Sequence, residues 1–429
     1  MAKTTKLTRT RGAGDATRAA NAEALKRMFA STPYLVDVKP AGEAIAGLGE
    51  RDLLHAGPPL EGWHEVRRVG ALHGSILGAL VHLGLAKDVA EAEAMGAAGA
   101  VTLKAANDYN AGGTYAGVIG RNTPVLVVDN RALGTRAVAA INEGRGKALR
   151  YGANDTATLD RLKWIEGEFA AVLGAAIRLT GGVDLYDILS QALHMGDDGH
   201  SRQKAASALL LNALAPAMVE TGYPAATVAA ALRFMAKNEI FFLPLAIGAG
   251  KSTMLALEGI AGATVVTCMA ANGVRFGIKV AGAGRRWFTA PVPGVKGKYF
   301  EGFGAKDANP VIGDSEISET TGLGAFAMAA APALARYVGG SVKESARLAV
   351  AMYRLALAEH PRFTIPTLEF RGTPAGIDVR RVLKTKLTPL FNTGIAHKTP
   401  GVGQIGAGFV RTPLACFKAA AAALAADEG

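Results

Sequence analysis

Residues 124–129 read Pro-Val-Leu-Val-Val-Asp, a short β-branched run between polar neighbours, which is the pattern of a strand buried on both faces. Downstream, Asp155 or Thr156 is placed to start a long amphipathic helix. Leu159, Leu162, Ile165, Phe169, Val172, Leu173 and Ile177 fall near helical spacing, and Gly181 and Gly182 stop it. From 183 to about 262 the pattern turns helical throughout, over 183–194, 202–219, 225–237 and a stretch after Pro244. Strand patterns return at 263–269, 274–280 and 287–291. Upstream lie a strand at 34–38 and a Gly- and Ala-rich helix at 71–85. Near the C-terminus, Ser341 with Glu344 forms a capping box that opens a helix running to about 360. Strands are expected at 363–370 and 379–386, then a Gly-rich loop and a closing helix from about Pro413. This is an α/β chain (α+β-like in its irregular order) with a helical middle. Its predicted divisions are a basic mobile leader (1–30), an N-terminal α/β domain (31–182), a helical domain (183–262) and a C-terminal α/β domain (263–429).

Composition supports a large folded protein. Of 429 residues 50% are hydrophobic and 19% charged, the reverse of a disordered chain. Glycine reaches 53, about one residue in eight, in short clusters suited to turns and to close backbone approach to a ligand. No run reaches the roughly 18 apolar residues that a membrane span needs. The N-terminus has positive charge without an apolar segment, so no secretory signal is read. Two cysteines, Cys268 and Cys416, make neither a zinc cluster nor a disulfide framework, and the cytoplasm is the expected compartment. The net charge is +11, of which residues 1–27 carry +5. The remainder is scattered without interleaved aromatics, which argues against nucleic acid and for a small anionic substrate.

Two tempting motifs fail on context. The run AGKST (249–253) lacks the glycine that a phosphate loop needs five residues before the Gly-Lys pair, since Leu245 stands there. The run GVGQIG (401–406) matches GxGxxG but has no room for a βαβ unit; a loop that brings backbone amides near an anion is the remaining reading. Two polar clusters are denser. HMGDDGHSR (194–202) sits between two predicted helices and reads as a capped turn, a substrate or catalytic site, or a metal site of unusual spacing. GDSEISETTG (313–322) carries three acids and four hydroxyls before an Ala-rich helix, as caps or as an anion site. Arg275 and Lys279 fall on one strand face, with Asn272 nearly so, and a planar guanidinium there can hold a carboxylate or phosphate through two bonds.

Taken in order, RALGTRAVAAINEGRGKALRYGA (131–153), HMGDDGHSRQKAA (194–206), FMAKNEIFFL (234–243), ANGVRFGIKVAG (271–282), WFTAPV (287–292), ANPVIGDSEISETTGLGAFAMAAAPA (308–333) and NTGIAHKTPGVGQIGAG (392–408) resemble one family. It is the family of unknown-function proteins that includes AllG, a subunit of bacterial oxamate carbamoyltransferase, and the resemblance covers roughly residues 50–415. It implies two irregular mixed α/β domains with a small inserted all-helical domain. It also implies carbamoyl transfer within purine or allantoin nitrogen metabolism: phosphorolysis of an N-carbamoyl compound such as oxalurate to carbamoyl phosphate and an amide. Phosphate would be the co-substrate, no cofactor is called for, and a divalent metal stays open. Partners would be an FdrA-like subunit, similar to acyl-CoA synthetases, and a third subunit; a homo-oligomer is also expected.

That chemistry asks for proton-transfer groups, for which His194, Asp198, His200 and His397 are candidates, and for anion holders and amide binders. Arg202, Asn238, Asn272, Arg275, Asn309, Asp314, Glu319, Thr320, Thr321, Gly401, Gly403 and Gln404 are the candidates there. One departure from the family's pattern stands out. The place before the 124–129 strand, His-rich in relatives, reads AANDYNAGGTY (105–115). That change leaves open a different ureido or cyclic amide substrate, or a non-catalytic subunit that organises an acyl-CoA-synthetase-like partner.

Overall fold

A computed structural model describes residues 4–427, with side-chain environments from residue 15 onward. The predicted strand lies inside the largest sheet as Pro124–Asn130, with Val125, Leu126, Val127 and Val128 all buried. Its neighbours are Pro33–Pro40 and Thr135–Ala140, both antiparallel, and the sheet order is Ala111–Gly112, Thr135–Ala140, Pro124–Asn130, Pro33–Pro40, Val183–Asp184. A four-stranded antiparallel sheet follows in the order Phe288–Pro291, Arg275–Val280, Val266–Asn272, Ile312–Gly313. A third sheet orders Lys296–Tyr299, Gln404–Arg411 and Leu390–Ala396. Mixed α/β architecture is therefore the observed class.

Local chemistry explains the boundaries. Asp155 caps the helix Thr156–Trp164 by accepting a hydrogen bond from the Thr158 N–H. A π-helical turn, Ile165–Phe169, links it to Ala170–Leu179, after which Gly181 and Gly182 adopt positive φ. The helical block comprises Leu185–His194, Lys204–Glu220, Ala225–Lys237 and Leu243–Leu255. The last of these is buried from Pro244 to Met254, and its small residues allow close packing. A Cβ on Gly248 would lie 2.9 Å from the Val128 side chain. One core joins this block to both flanking regions, uniting Leu126, Leu214, Phe242, Val266 and Phe391.

Three expectations need correction. The helix opened by Ser341 ends at Met352, and Ala356–Ile365 instead forms a hairpin with Arg371–Ile377. Pro361 is incompatible with a helix interior, and a bulge between Glu359 and Thr364 breaks the two-residue period that would have marked the strand. The 379–386 segment is a helix, Val379–Thr385, capped by Asp378 through the Arg380 N–H and burying Val379 and Val382 one turn apart. The leader is helical over Thr4–Ala30, and its later half is docked: Ala24 and Met28 are fully buried and Asn21 donates to the Thr264 hydroxyl at 2.9 Å. Side chains of residues 1–14 lie outside the described set. No helix among the described residues is long and apolar enough to cross a membrane.

Candidate functional site

The segment after the helix Leu185–His194 turns through Gly196 and Gly199, both at positive φ. Asp198 organises this turn. Its Oδ1 accepts from the N–H groups of His200 (3.0 Å) and Arg202 (2.9 Å), and its Oδ2 accepts from Asn392 Nδ2 at 2.6 Å. His200 is thereby aimed at Glu319, whose carboxylate oxygens lie 2.9 and 3.1 Å from Nδ1. The short helix Ile317–Thr320 carries Glu319, and the Ala325 N–H donates to Oε1 at 3.0 Å. Gly324 makes that closure possible, because at φ +61 a Cβ there would sit 2.1 Å from Glu319 Oε1.

His200 and Glu319 are buried. Burial alone pulls the imidazole's pKa down, but the Glu319 charge and hydrogen bond outweigh it, with Glu316 and Asp198 adding to them. The result is a His200 pKa pushed up to about 9, while burial raises the Glu319 carboxyl above its usual value against the opposing pull of His200. Glu316 is fully buried and neither of its oxygens has a hydrogen-bond partner; burial pushes its pKa up to about 8.

His200 and Ser201 line a cleft together with Tyr115, Arg145, Arg150, Tyr151, Ser315, Tyr337, Thr393 and Gln404. The loop that supplies Arg145 and Arg150 is tied down from behind. Asn142 Nδ2 donates to the Ile240 carbonyl, Asn238 Nδ2 donates to the Asn142 carbonyl, and Glu143 accepts from the N–H groups of Leu149 and Arg150. Arg150 bonds the Gly144 carbonyl through Nε and Nη2, and Arg145 lies exposed over the Tyr337 ring at 5.6 Å. Gln404 is held by the Tyr337 hydroxyl and the Gly406 carbonyl.

The structure thus brings His200, Asp198, Glu319 and Gln404 of the expected set to one place. The others lie elsewhere or face inward. His194 is exposed and bonded to the Thr364 hydroxyl at 2.8 Å, while His397 accepts from the Thr399 N–H and packs against Phe303. Arg202 donates to the Gly196 carbonyl beside Asp197. Asn272 caps its hairpin by accepting from the N–H groups of Val274 and Arg275. Arg275 is committed to Glu65 by two bonds of 2.8 Å, and Lys279 to Asp108. Asn309 accepts from the Ala71 N–H, and the hydroxyls of Thr320 and Thr321 turn back to the carbonyls of Ile317 and Ser318. Gly401 and Gly403 secure the loop through Tyr151 and His397.

Asp314 is a staple between distant segments. Its carboxylate accepts from the N–H groups of Gly57 (2.9 Å) and Gly113 (2.8 Å), and burial pushes its pKa up to about 7 against those two bonds. The AGKST run lies within the buried helix Leu243–Leu255, and Lys251 bonds Asn107 Oδ1 and Glu258. The 105–115 segment is therefore anchored, with Asp108 on Lys279 and Trp287 and Asn110 on Arg285. Among the described residues no group of three or more His, Cys, Asp or Glu side chains is arranged to hold a metal ion.

Sequence reasoning passed over Arg145, Arg150, Tyr115, Tyr151 and Tyr337. The signal was present for the first two and for Tyr151, in a glycine-rich loop, NEGRGKALRYGA (142–153), dense in basic residues.

Comparison with known proteins follows the geometry. The family model for oxamate carbamoyltransferase subunit AllG matches residues 101–315. The chain is 42% identical to the oxamate carbamoyltransferase subunit AllG of Escherichia coli K12, over 96% of this chain and 98% of that protein. It is 41% identical to a second protein of the same strain, the uncharacterised YahG, over 95% and 85%. The crystal structure of a conserved protein of unknown function from Enterococcus faecalis V583 superposes with a TM-score of 0.93 at 41% identity, covering 96% of this chain and 98% of that one.

Proposed function

The chain belongs to the AllG family, and on that premise we propose that it is a carbamoyltransferase subunit whose His200 cleft receives a small anionic ureido compound and phosphate. The observation that carries this reading is the buried His200, bonded to Glu319, on one wall of a cleft that also presents Arg145 and Arg150. Two guanidinium groups suit the anionic ends of substrate and phosphate. His200 Nδ1 is engaged by Glu319, which leaves Nε2 for the ligand.

In the proposed step a phosphate oxygen attacks the carbamoyl carbon and the bond to the substrate's amide nitrogen breaks. The departing nitrogen takes the proton of His200, and hydrogen phosphate, on losing its own proton, restores the imidazolium. Carbamoyl phosphate and a free amide leave. Arg145 and Arg150 neutralise the charge that gathers on phosphate. The proposed assembly includes an FdrA-like subunit and a third subunit, with oxalurate as the first substrate to try.

The test is carbamoyl phosphate formation from oxalurate and phosphate by the complex recovered with the tagged chain. His200→Asn should lower turnover at least about a hundredfold while the complex stays assembled. Full turnover with that variant would overturn the assignment of His200. A chain purified alone, active on another ureido compound, would overturn the assembly.

A further inference from the structure

Polar atoms surround the bare face of Gly313. A Cβ there would have as its nearest non-adjacent neighbours Ser315 Oγ at 3.3 Å, Glu316 Oε2 at 3.5 Å and the Tyr115 backbone nitrogen at 3.7 Å. No side chain occupies that face, so one small group lying over it comes within hydrogen-bond reach of all three. Ser315 and Tyr115 also line the His200 cleft, and Glu316 is near enough to His200 to act on its charge.

These atoms are uncommitted. Glu316 is fully buried with both oxygens unpartnered, which costs free energy until a donor arrives. Among the described residues no hydrogen bond engages Ser315 Oγ or the Tyr115 N–H. Tyr115 is also held at φ +54, a left-handed conformation that a bulky residue keeps only where its surroundings enforce it. Here Asp314 grips the Gly113 N–H, the Gly117 N–H bonds the Thr114 carbonyl, and the Tyr115 hydroxyl accepts from the Ala396 N–H. One acceptor therefore stands beside two donors, an N–H and a hydroxyl. That set complements a carboxamide, whose NH2 donates and whose carbonyl oxygen accepts.

We propose that this nook holds the carbamoyl head of the substrate, its NH2 donating to Glu316 and its carbonyl oxygen accepting from the Tyr115 N–H and the Ser315 hydroxyl. Such a head group presupposes the carbamoyl-transfer reading, to which it adds the basis of substrate choice. When phosphate adds to the carbamoyl carbon, negative charge gathers on the carbonyl oxygen, and the two donors face it. A methyl in place of the NH2 leaves Glu316 buried and unmatched.

The probes are phosphonoacetamide and acetonylphosphonate, stable phosphonates of nearly equal shape that differ in an NH2 against a CH3. Their affinities for the natural full-length chain, with the subunits recovered beside it, are measured by isothermal titration calorimetry. Phosphonoacetamide should bind at least about tenfold more tightly, the worth of a hydrogen bond to a buried carboxyl. Glu316→Met, unbranched and apolar, should bring the two affinities together. It should also raise the thermal midpoint of the ligand-free protein, because an unmatched buried carboxyl is gone, whereas a merely structural Glu316 would make the midpoint fall. The preference is read on the unmodified protein, so it survives a variant that fails to fold. No binding of phosphonoacetamide, equal affinities in the natural protein, a preference that outlasts Glu316→Met, or a lowered midpoint would each overturn the proposal. Oxalurate turnover with equal affinities would remove this subsite alone; the preference without oxalurate turnover would remove oxalurate as substrate and leave the subsite.

Discussion

Replacing Glu319 by glutamine keeps the shape of the side chain and removes the charge that faces His200. Glutamine Oε1 can still accept from the imidazole and from the Ala325 N–H, so the perturbation is electrostatic. Two other buried histidines show what burial does without a carboxylate bonded to the ring. His55 is pulled down to about 4 and His360 to about 3. His200 stands at about 9 against an ordinary 6.5, a difference on the order of 3 kcal/mol in favour of the charged ring. In Glu319→Gln, His200 should therefore fall below 6.5 and be neutral at pH 7.

The sign of the stability effect follows. In the parent chain the folded value of His200 lies above the unfolded one, so the contribution of His200 is complete below pH 6.5 and is lost as pH rises through 9. In the variant the order reverses, and stability is lost as pH falls below 6.5. The assay is an NMR titration of histidine ring signals in a selectively labelled chain, with His200→Asn identifying the resonance among eight histidines. Parent titration below 6.5, or no downward move in Glu319→Gln, would refute the reasoning.

Arg145→Ala should lower kcat/KM of the assembled complex by about ten- to a hundredfold, the worth of a hydrogen bond to a charged group. Its thermal midpoint should hardly change, because the side chain is exposed over the Tyr337 ring and exposed charges contribute little to stability. Arg275→Ala should do the opposite. It strands the buried Glu65 carboxylate at a cost of about 3 kcal/mol, read by urea unfolding. Gly57→Ala should be more damaging: φ is +80 and a Cβ would lie 2.3 Å from the Ala271 backbone, so at least about 3 kcal/mol is lost in the same assay.

What could be read from sequence was what is decided locally. The 124–129 strand, the Asp155 cap and the Gly181–Gly182 stop depend on neighbours within a turn or two, and each is found where expected. The Val379–Thr385 helix was misread because its run of valines and basic residues suits a strand as well, and only packing of Val379 and Val382 decides between them. The site divides the same way. His200 and Asp198 sit in one short motif, and Glu319 in another. The partner that occupies Arg275 lies 210 residues away, which no spacing rule reveals. Arg145 and Arg150 belong to a loop whose direction is set by Asn238, 96 residues from the carbonyl it holds.

The two amides that Asp314 gathers come from residues 257 and 201 positions earlier in the chain. At ribosomal rates of about 5–20 residues per second, Gly57 emerges some 10–50 s before the carboxylate that will receive it. During that interval the loops bearing Gly57 and Gly113 have their final partner still unsynthesised. Assembly of the cleft wall is then a late, long-range event of the slow kind that contact order describes, and a nascent chain halted before residue 314 has no means of completing it.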